Sequence, residues 1–426
     1  MLITKSGIAP AEATGPASES KWPVHSASNY ENIAMLSAAQ DELRRPLHIA
    51  MLGMRGFPNV QGGVEKHAER LACELTALGC DVTAIVRSCH VPKAQRTWQN
   101  VRLVRLWAPH IKGLEAFLHS FLGVLYAAIF RPDILHIHGI GPALFTPLAR
   151  AMGLRVVVTH HLPNYENEKW GLIGRTILRL GEWVGMNFAN GRIAVSEVLA
   201  EQVAHVYRVP IVAIPNGIDK PQITASTETL DSFGLSAKHY FVSVARIDEQ
   251  KRQLDLVAAY ARLRSPQWKL ALVGDADYSG RYAQSVAEAA RNVPGVVMLG
   301  YQSGAALAEL YSHAGAFVLP SSHEGQPLAV LEAASYGLPL LLSDIPAHRE
   351  IGIPETRFFS VGDIKMLASQ LAAILAKPGR GLNSTTRTQV MSRHDWRLIA
   401  QRTQGAYLSV FLGNRDAHTR STLAAR

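Results

Sequence analysis

The chain is poor in cysteine. Cys73, Cys80 and Cys89 are the only three in 426 residues, and no two form a C-x-x-C pair. An odd, scattered set argues against a disulfide framework and fits a reducing compartment. No cluster of His and Cys with metal-ligand spacing is visible. The glycines spell neither G-x-G-x-x-G nor G-x-x-x-x-G-K-[ST], so ordinary dinucleotide and P-loop binding are not supported. No signal peptide is apparent, because "MLITKSGIAPAEATGPASES" lacks a long apolar core. One stretch, "GLEAFLHSFLGVLYAAIF" (113–130), is barely long enough to span a bilayer and contains Glu115 and His119. It reads as a helix packed on a sheet, or as one lying partly at a membrane surface. Acid is in deficit, with 34 Asp plus Glu against 43 Lys plus Arg, a formal charge of +9. The surplus favours an anionic partner: a nucleotide, a phospholipid surface or a nucleic acid. No Lys/Arg block is interleaved with aromatics, so no nucleic-acid partner is expected.

What is present is a repeated strand–helix alternation. Residues 1–45, rich in Ala, Ser, Glu and Pro, read as a poorly ordered extension with a short helix through "ENIAMLSAAQDELRR". Apolar, β-branched runs then follow: "PLHIAMLG", "DVTAIVR", "VRLVRLW", "DILHIH", "RVVVTH", "GRIAVS" and "IVAIPNG". The pattern restarts with "HYFVSVA", "WKLALVG", "GVVMLG", "GAFVLP" and "LPLLLSD". Helical spacing separates them, as in "VEKHAERLACELTALG" and "QLDLVAAYARL". This predicts two doubly wound α/β halves, at 46–210 and 211–392, closed by a long amphipathic helix within 393–426. With 48% hydrophobic residues, each half can bury a core. Ligands of open parallel sheets bind at the C-terminal strand ends.

Four stretches there carry chemistry. In "GMRGFPNVQGGVEKHAERL", Gly62 and Gly63 would let backbone N–H groups approach an anion at a helix N-terminus. In "VVVTHHLPNYENEKWG", His160 and His161 end a strand, where a histidine can bond a hydroxyl or phosphate or move a proton. In "VARIDEQKRQLDL", Arg246 and Lys251 flank a helix start, where cations oppose the helix dipole unless an anion is bound. In "SSHEGQPLAVLEAASYG", Glu324 precedes a helix and Glu332 lies within it, both amid apolar residues. Carboxylates accept hydrogen bonds from paired sugar hydroxyls, and the backbone of Gly325, Gln326, Pro327 and Leu328 allows close approach to phosphate. A weaker signal is the D-x-D pair Asp275 and Asp277 after "LALVG", which reads as a turn rather than a metal site.

Together these motifs, with "PNGID" (215–219) and "LVGDAD", resemble glycosyltransferase family 4 over about residues 46–412. The resemblance is nearest to bacterial enzymes of exopolysaccharide and surface-glycan synthesis. It implies a GT-B fold, with two Rossmann-like domains facing across a cleft and the C-terminal helix crossing back onto the first. It also implies retaining sugar transfer, hexosyl transfer by expectation, from a nucleotide diphosphate sugar to a glycan or lipid-linked acceptor. No metal or other cofactor is expected, and the place of action is cytoplasmic, peripheral at the inner membrane face. By position, Glu324 would contact donor hydroxyls, Glu332 the ribose, and Arg246 and Lys251 the diphosphate. Gly62 and Gly63 would let the first loop close, and His161 fits the family's T-x-H position, two after Thr159. Gln326–Pro327 departs from the commoner Phe-Gly and leaves the sugar contact open. Epimerisation or hydrolysis on the same fold, a D-x-D metal-dependent transferase and a non-catalytic binding module are the alternatives.

Overall fold

The computed structural model describes residues 24–25, 45–109, 111, 113–163, 165, 171–263, 267–276, 280–378 and 381–424. The helix expected through 31–45, most of "NYENEKWG" and Asp277 lie outside the described residues.

Among the described residues fifteen strands form two sheets. The first holds β1 (Val24–His25), β2 (His48–Leu52), β3 (Asp81–Arg87), β4 (Thr97–Trp98), β5 (Val101–Leu106), β6 (Ile134–His138), β7 (Val156–His160), β8 (Gly191–Ala194) and β9 (Ile211–Ala213). Their order is β1-β9-β8-β7-β6-β2-β3-β5-β4, parallel except for the β4–β5 hairpin. The second holds β10 (Tyr240–Val244), β11 (Lys269–Val273), β12 (Val296–Gly300), β13 (Ala316–Leu319), β14 (Leu340–Ser343) and β15 (Arg357–Phe359). Its order is β12-β11-β10-β13-β14-β15, parallel throughout. These are the two doubly wound halves that the apolar runs predict.

Strands buried on both faces need helices on both faces. In the first domain one face is covered by α1 (Gly63–Ala77) and by the C-terminal helix, whose Trp396, Ile399, Tyr407 and Phe411 enter the same core as Leu71 and Leu75. The other face is covered by α2 (Leu114–Phe130), α3 (Leu172–Phe188) and α4 (Glu197–Tyr207). The C-terminal helix, Trp396–Ala424, thus returns to the first domain, where the Tyr407 hydroxyl pairs with His136 Nδ1 at 2.6 Å.

Two features differ from expectation. A division at residue 210 would cut off β9, which pairs in parallel with β8 and completes the first sheet. Within the extension, Val24–His25 pair with Ile211–Val212 and lengthen that sheet by one strand. Among the described residues no helix is long and apolar enough to cross a membrane.

Strand order reverses between β10 and β13 in the second sheet and between β2 and β6 in the first. At such points neighbouring loops diverge to opposite faces and leave a crevice at the strand ends.

Candidate active site

Adjacent strands deliver adjacent loops. Because β10 pairs with β13, the turn Glu249–Lys251 lies beside the loop 321–327. Lys251 Nζ meets Glu324 Oε1 at 2.5 Å, both side chains being largely buried. Burial alone would push the Glu324 carboxyl up, but Lys251, and then His348, outweigh it and hold it below the usual range. The Ser322 amide donates to the Gln250 carbonyl at 2.8 Å, which ties the two loops together. Pro327 caps α5 (Leu328–Ser335), which carries Glu332 one turn further in.

The first domain closes over this crevice. From the first turn of α1, Lys66 forms an ion pair with Glu332 Oε1, while Glu332 Oε2 accepts from the Tyr311 hydroxyl at 3.0 Å. Burial works against the Lys66 charge, yet Glu332 raises its pKa overall. The Gln61 side chain accepts from Asp275 N at 3.3 Å and donates to Asp275 O at 3.2 Å. Asp275 Oδ2 itself accepts from Tyr301 N at 2.9 Å, which ties the loop after β11 to the end of β12. Glu65 pairs with Arg55 at 3.0 Å. Burial opposes its charge, but Arg55, and more weakly Arg246 from across the cleft, keep it ionised. Gly62 has φ of 150°, and a Cβ there would fall 1.9 Å from Glu65 Oε2. Gly63 faces open space.

Gly325 packs closely on the first domain across the cleft. A Cβ on it would lie 1.7 Å from the His161 carbonyl oxygen. Beside it, the Gln326 side chain does not face the crevice freely. Its Oε1 accepts from Asn216 N at 2.5 Å, and its carbonyl accepts from Asn216 Nδ2 at 2.9 Å. Asn216 Oδ1 continues to His67 Nδ1 at 2.8 Å. The "PNGID" segment is therefore a strut between the two domains.

His161 does not stand alone. Its Nε2 lies 3.2 Å from His138 Nδ1 at the end of β6, and its ring meets His67 edge-on at 5.0 Å. His67, His138 and His161 place ring nitrogens within 4.8 Å of one another, a grouping invisible in the sequence because three separate elements supply it. Burial, and for His138 and His161 the neighbouring rings as well, keeps all three neutral; His67 is pushed down to about 4. His160, by contrast, points away and bonds Glu182 at 2.6 Å.

The structure thus brings together Lys251, Glu324, Glu332, Gly62 and Gly325 through Leu328, with His161 under Gly325. Sequence reasoning missed Lys66, His67, His138 and Asn216. For Lys66 a signal existed: it is a cation in the first turn of a helix, unfavourable without an anion.

Two family descriptions match this chain: Glycosyltransferase Family 4 over residues 61–221 and Glycosyl transferases group 1 over residues 227–390. A glycogen synthase of Mycobacterium tuberculosis is 24% identical over 412 residues, 88% of this chain and 97% of its own length. The putative glycosyltransferase EpsF of Bacillus subtilis is 30% identical over 209 residues, 46% of this chain and 52% of its own. Among solved structures, sucrose-phosphate synthase from Thermosynechococcus elongatus superposes with a TM-score of 0.71 at 23% identity, covering 90% of this chain and all of that one. HepE of Anabaena, solved with UDP and glucose, gives 0.70 at 18% identity, covering 84% and 98%.

Proposed function

The chain belongs to the glycosyltransferases described by family 4 and group 1, with their GT-B fold, and on that premise we propose that it moves a sugar, with retention of configuration, from a nucleotide diphosphate sugar to a glycan or lipid-linked acceptor. The reading extends to bacterial surface-polysaccharide synthesis, in the cytoplasm at the inner membrane face. The observation that carries it is the pairing of Lys251 with Glu324 at the strand-order reversal of the second sheet, beside Glu332, which Lys66 meets from across the cleft.

In this reading Arg246 and Lys251 receive the diphosphate. Charge grows on its oxygens as the glycosidic C–O bond breaks, and cations already in place stabilise it without reorganisation. Glu332 offers its carboxylate to the ribose and Glu324 to the sugar hydroxyls, which fixes the anomeric carbon for attack. Glu324 is unsuited to general-acid work, because Lys251 holds it ionised. Glu332 has both oxygens engaged, by Lys66 and Tyr311. Neither carboxylate therefore stands as the acid or nucleophile of a glycosidase pair. Retention without a protein nucleophile brings the acceptor in on the leaving-group face.

The test is a panel of labelled nucleotide diphosphate sugars, screened by thermal shift and then incubated with acceptor. A donor present at 100 times its Kd stabilises the native state by about 2.7 kcal/mol. A radiolabelled glycan or glycolipid product supports the reading. Free sugar or an epimerised nucleotide sugar as the sole product, with every acceptor, overturns it.

A further inference from the structure

Thirteen of the eighteen large apolar side chains exposed among the described residues fall between Trp107 and Phe188. This is one layer of the first domain, and its helices turn large apolar side chains outward while polar groups share their buried faces with apolar ones. On α3 the outward residues are Leu172, Ile173, Ile177, Leu180 and Trp183, between 41% and 83% exposed. The inward face holds Glu182, bonded to His160 and Tyr207, and Gly181 and Gly185, packed on Ile140 and Ala143. α2 repeats the arrangement. Leu114, Phe117, Phe121 and Phe130 face outward, while Glu115 and His119 are buried. Phe145 joins the two helices, lying 4.9 Å from Phe117 in the segment on which α3 also packs.

The charges on this layer have one sign. Every acid among the described residues from 107 to 188, namely Glu115, Asp133 and Glu182, is buried. Arg131 and Arg179 are exposed and Arg175 is half-exposed. A helix with large apolar residues and Trp outward, flanked by Arg and free of exposed acid, suits the boundary between headgroups and acyl chains of an anionic bilayer. Two copies meeting symmetrically through this face would set Arg against Arg. Water-exposed patches of this extent are rare on soluble monomers.

We propose that the outer face of α2 and α3 is a membrane-docking surface that takes an anionic phospholipid bilayer. Both helices start at the C-terminal edge of the sheet, because α2 follows β5 and α3 follows β7. That is the edge that bears the cleft, so a docked molecule holds the cleft mouth beside the lipid. The consequence that a lipid-linked acceptor is delivered there rests on the transfer reading above; the docking itself does not.

The experiment is flotation of the full chain with vesicles of phosphatidylcholine alone, and with vesicles in which about a third of the lipid is phosphatidylglycerol. The chain is expected to float with the anionic vesicles and less with the neutral ones. The double variant Leu172→Glu, Ile173→Glu should lower its partition by at least about tenfold, since two large apolar groups are replaced by charges of the membrane's own sign. Its melting temperature should be unchanged, because both side chains are exposed. Arg179→Glu should weaken only the anionic arm. The proposal falls if the wild type stays at the bottom of both gradients, or if the double variant floats as the wild type does. It also falls if gel filtration shows a wild-type dimer that the double variant splits, since a second copy would then cover the face. Transfer to a water-soluble acceptor by the double variant separates failure of docking from failure of the transfer reading.

Discussion

Gly325→Ala tests whether the closed cleft is the working state. The new Cβ would lie 1.7 Å from the His161 carbonyl oxygen and 2.9 Å from its carbon. An unstrained contact needs roughly 3.4 Å, so the surfaces must part by about 1.7 Å. The obstacle is backbone at the end of β7, a strand buried along its length and paired with β6 and β8. Neither side yields locally, and the low-cost relief is for the domains to separate. The Gln61–Asp275 pair spans the same cleft at 3.2 and 3.3 Å. Lengthened by about 1.7 Å, these contacts are no longer hydrogen bonds. Misplacing catalytic groups by about 1 Å can cost roughly 100-fold in rate. The expected result is a fall in kcat/KM of at least about 100-fold, with a melting temperature within a few degrees of wild type, because each domain keeps its core. Small-angle scattering should show a larger radius of gyration. Gly63→Ala is the contrast: a Cβ there meets nothing within 4 Å, so any loss must come from bound donor and appear in KM. Wild-type transfer by Gly325→Ala would refute the reasoning.

Other predictions follow from the same site and from the buried histidines. Lys251→Ala and Glu332→Ala should each reduce transfer by roughly a thousandfold or more while circular dichroism shows a folded chain; full activity in either would remove that residue from the site. Lys66→Met leaves Glu332 with Tyr311 alone and should cut kcat/KM about tenfold by loosening closure, read by scattering and kinetics together. Transfer should persist in excess chelator, since Asp275 Oδ2 is engaged by Tyr301 N; loss restored by a divalent cation would reverse that reading. Stability should fall as pH drops from about 6.5 to about 4. His67 and His119 are held near 4 by burial, so the unfolded chain binds protons first, at a cost on the order of 3 kcal/mol for His67 alone. Below about 4.5 a second loss begins, as Glu65 and Glu324, held low when folded, are forced to protonate. Neither His119 ring nitrogen has a hydrogen-bond partner among the described residues, so His119→Leu should flatten the first slope. A melting temperature constant from pH 6.5 to 4.5 would contradict this.

The fold was legible because its strands advertise themselves. Runs such as "RVVVTH" and "LPLLLSD" are too short for helices, β-branched or leucine-rich, and bounded by glycine or proline, so parallel strands buried on both faces are the economical reading. Lys251, Glu324 and Glu332 were legible for a related reason, as charges set where local chemistry disfavours them. The strut from Asn216 to Gln326 and His67 was not, since each partner is ordinary in its own segment and only the meeting of domains makes a site of them. Lys66 sits between these cases. In "VEKHAERL" it looks like a solvated helix charge, but the dipole argument applied to Lys251 applies to it equally, and Glu332 is the anion that resolves it.

The helix at 113–130 shows what periodicity withholds. Glu115 and His119 made it read as a packed helix or a surface-lying one, and the sequence alone could not orient it. Amphipathic spacing says that two faces differ, not which one meets the sheet. Arg87 settles it. Placed at the end of β3 under the helix, it draws Glu115 inward to 2.8 Å, joined by His90 at 2.9 Å. Once a buried cation anchors the polar stripe, leucine and phenylalanine have only the outside left. The same logic operates in α3, where His160 and Tyr207 claim Glu182. A buried partner supplied by a distant strand therefore turns, in both helices, most of the largest apolar side chains away from the protein, and the two resulting faces adjoin. Replacing Arg87 or His160 should loosen the helix it anchors and weaken vesicle binding without touching any lipid-facing residue.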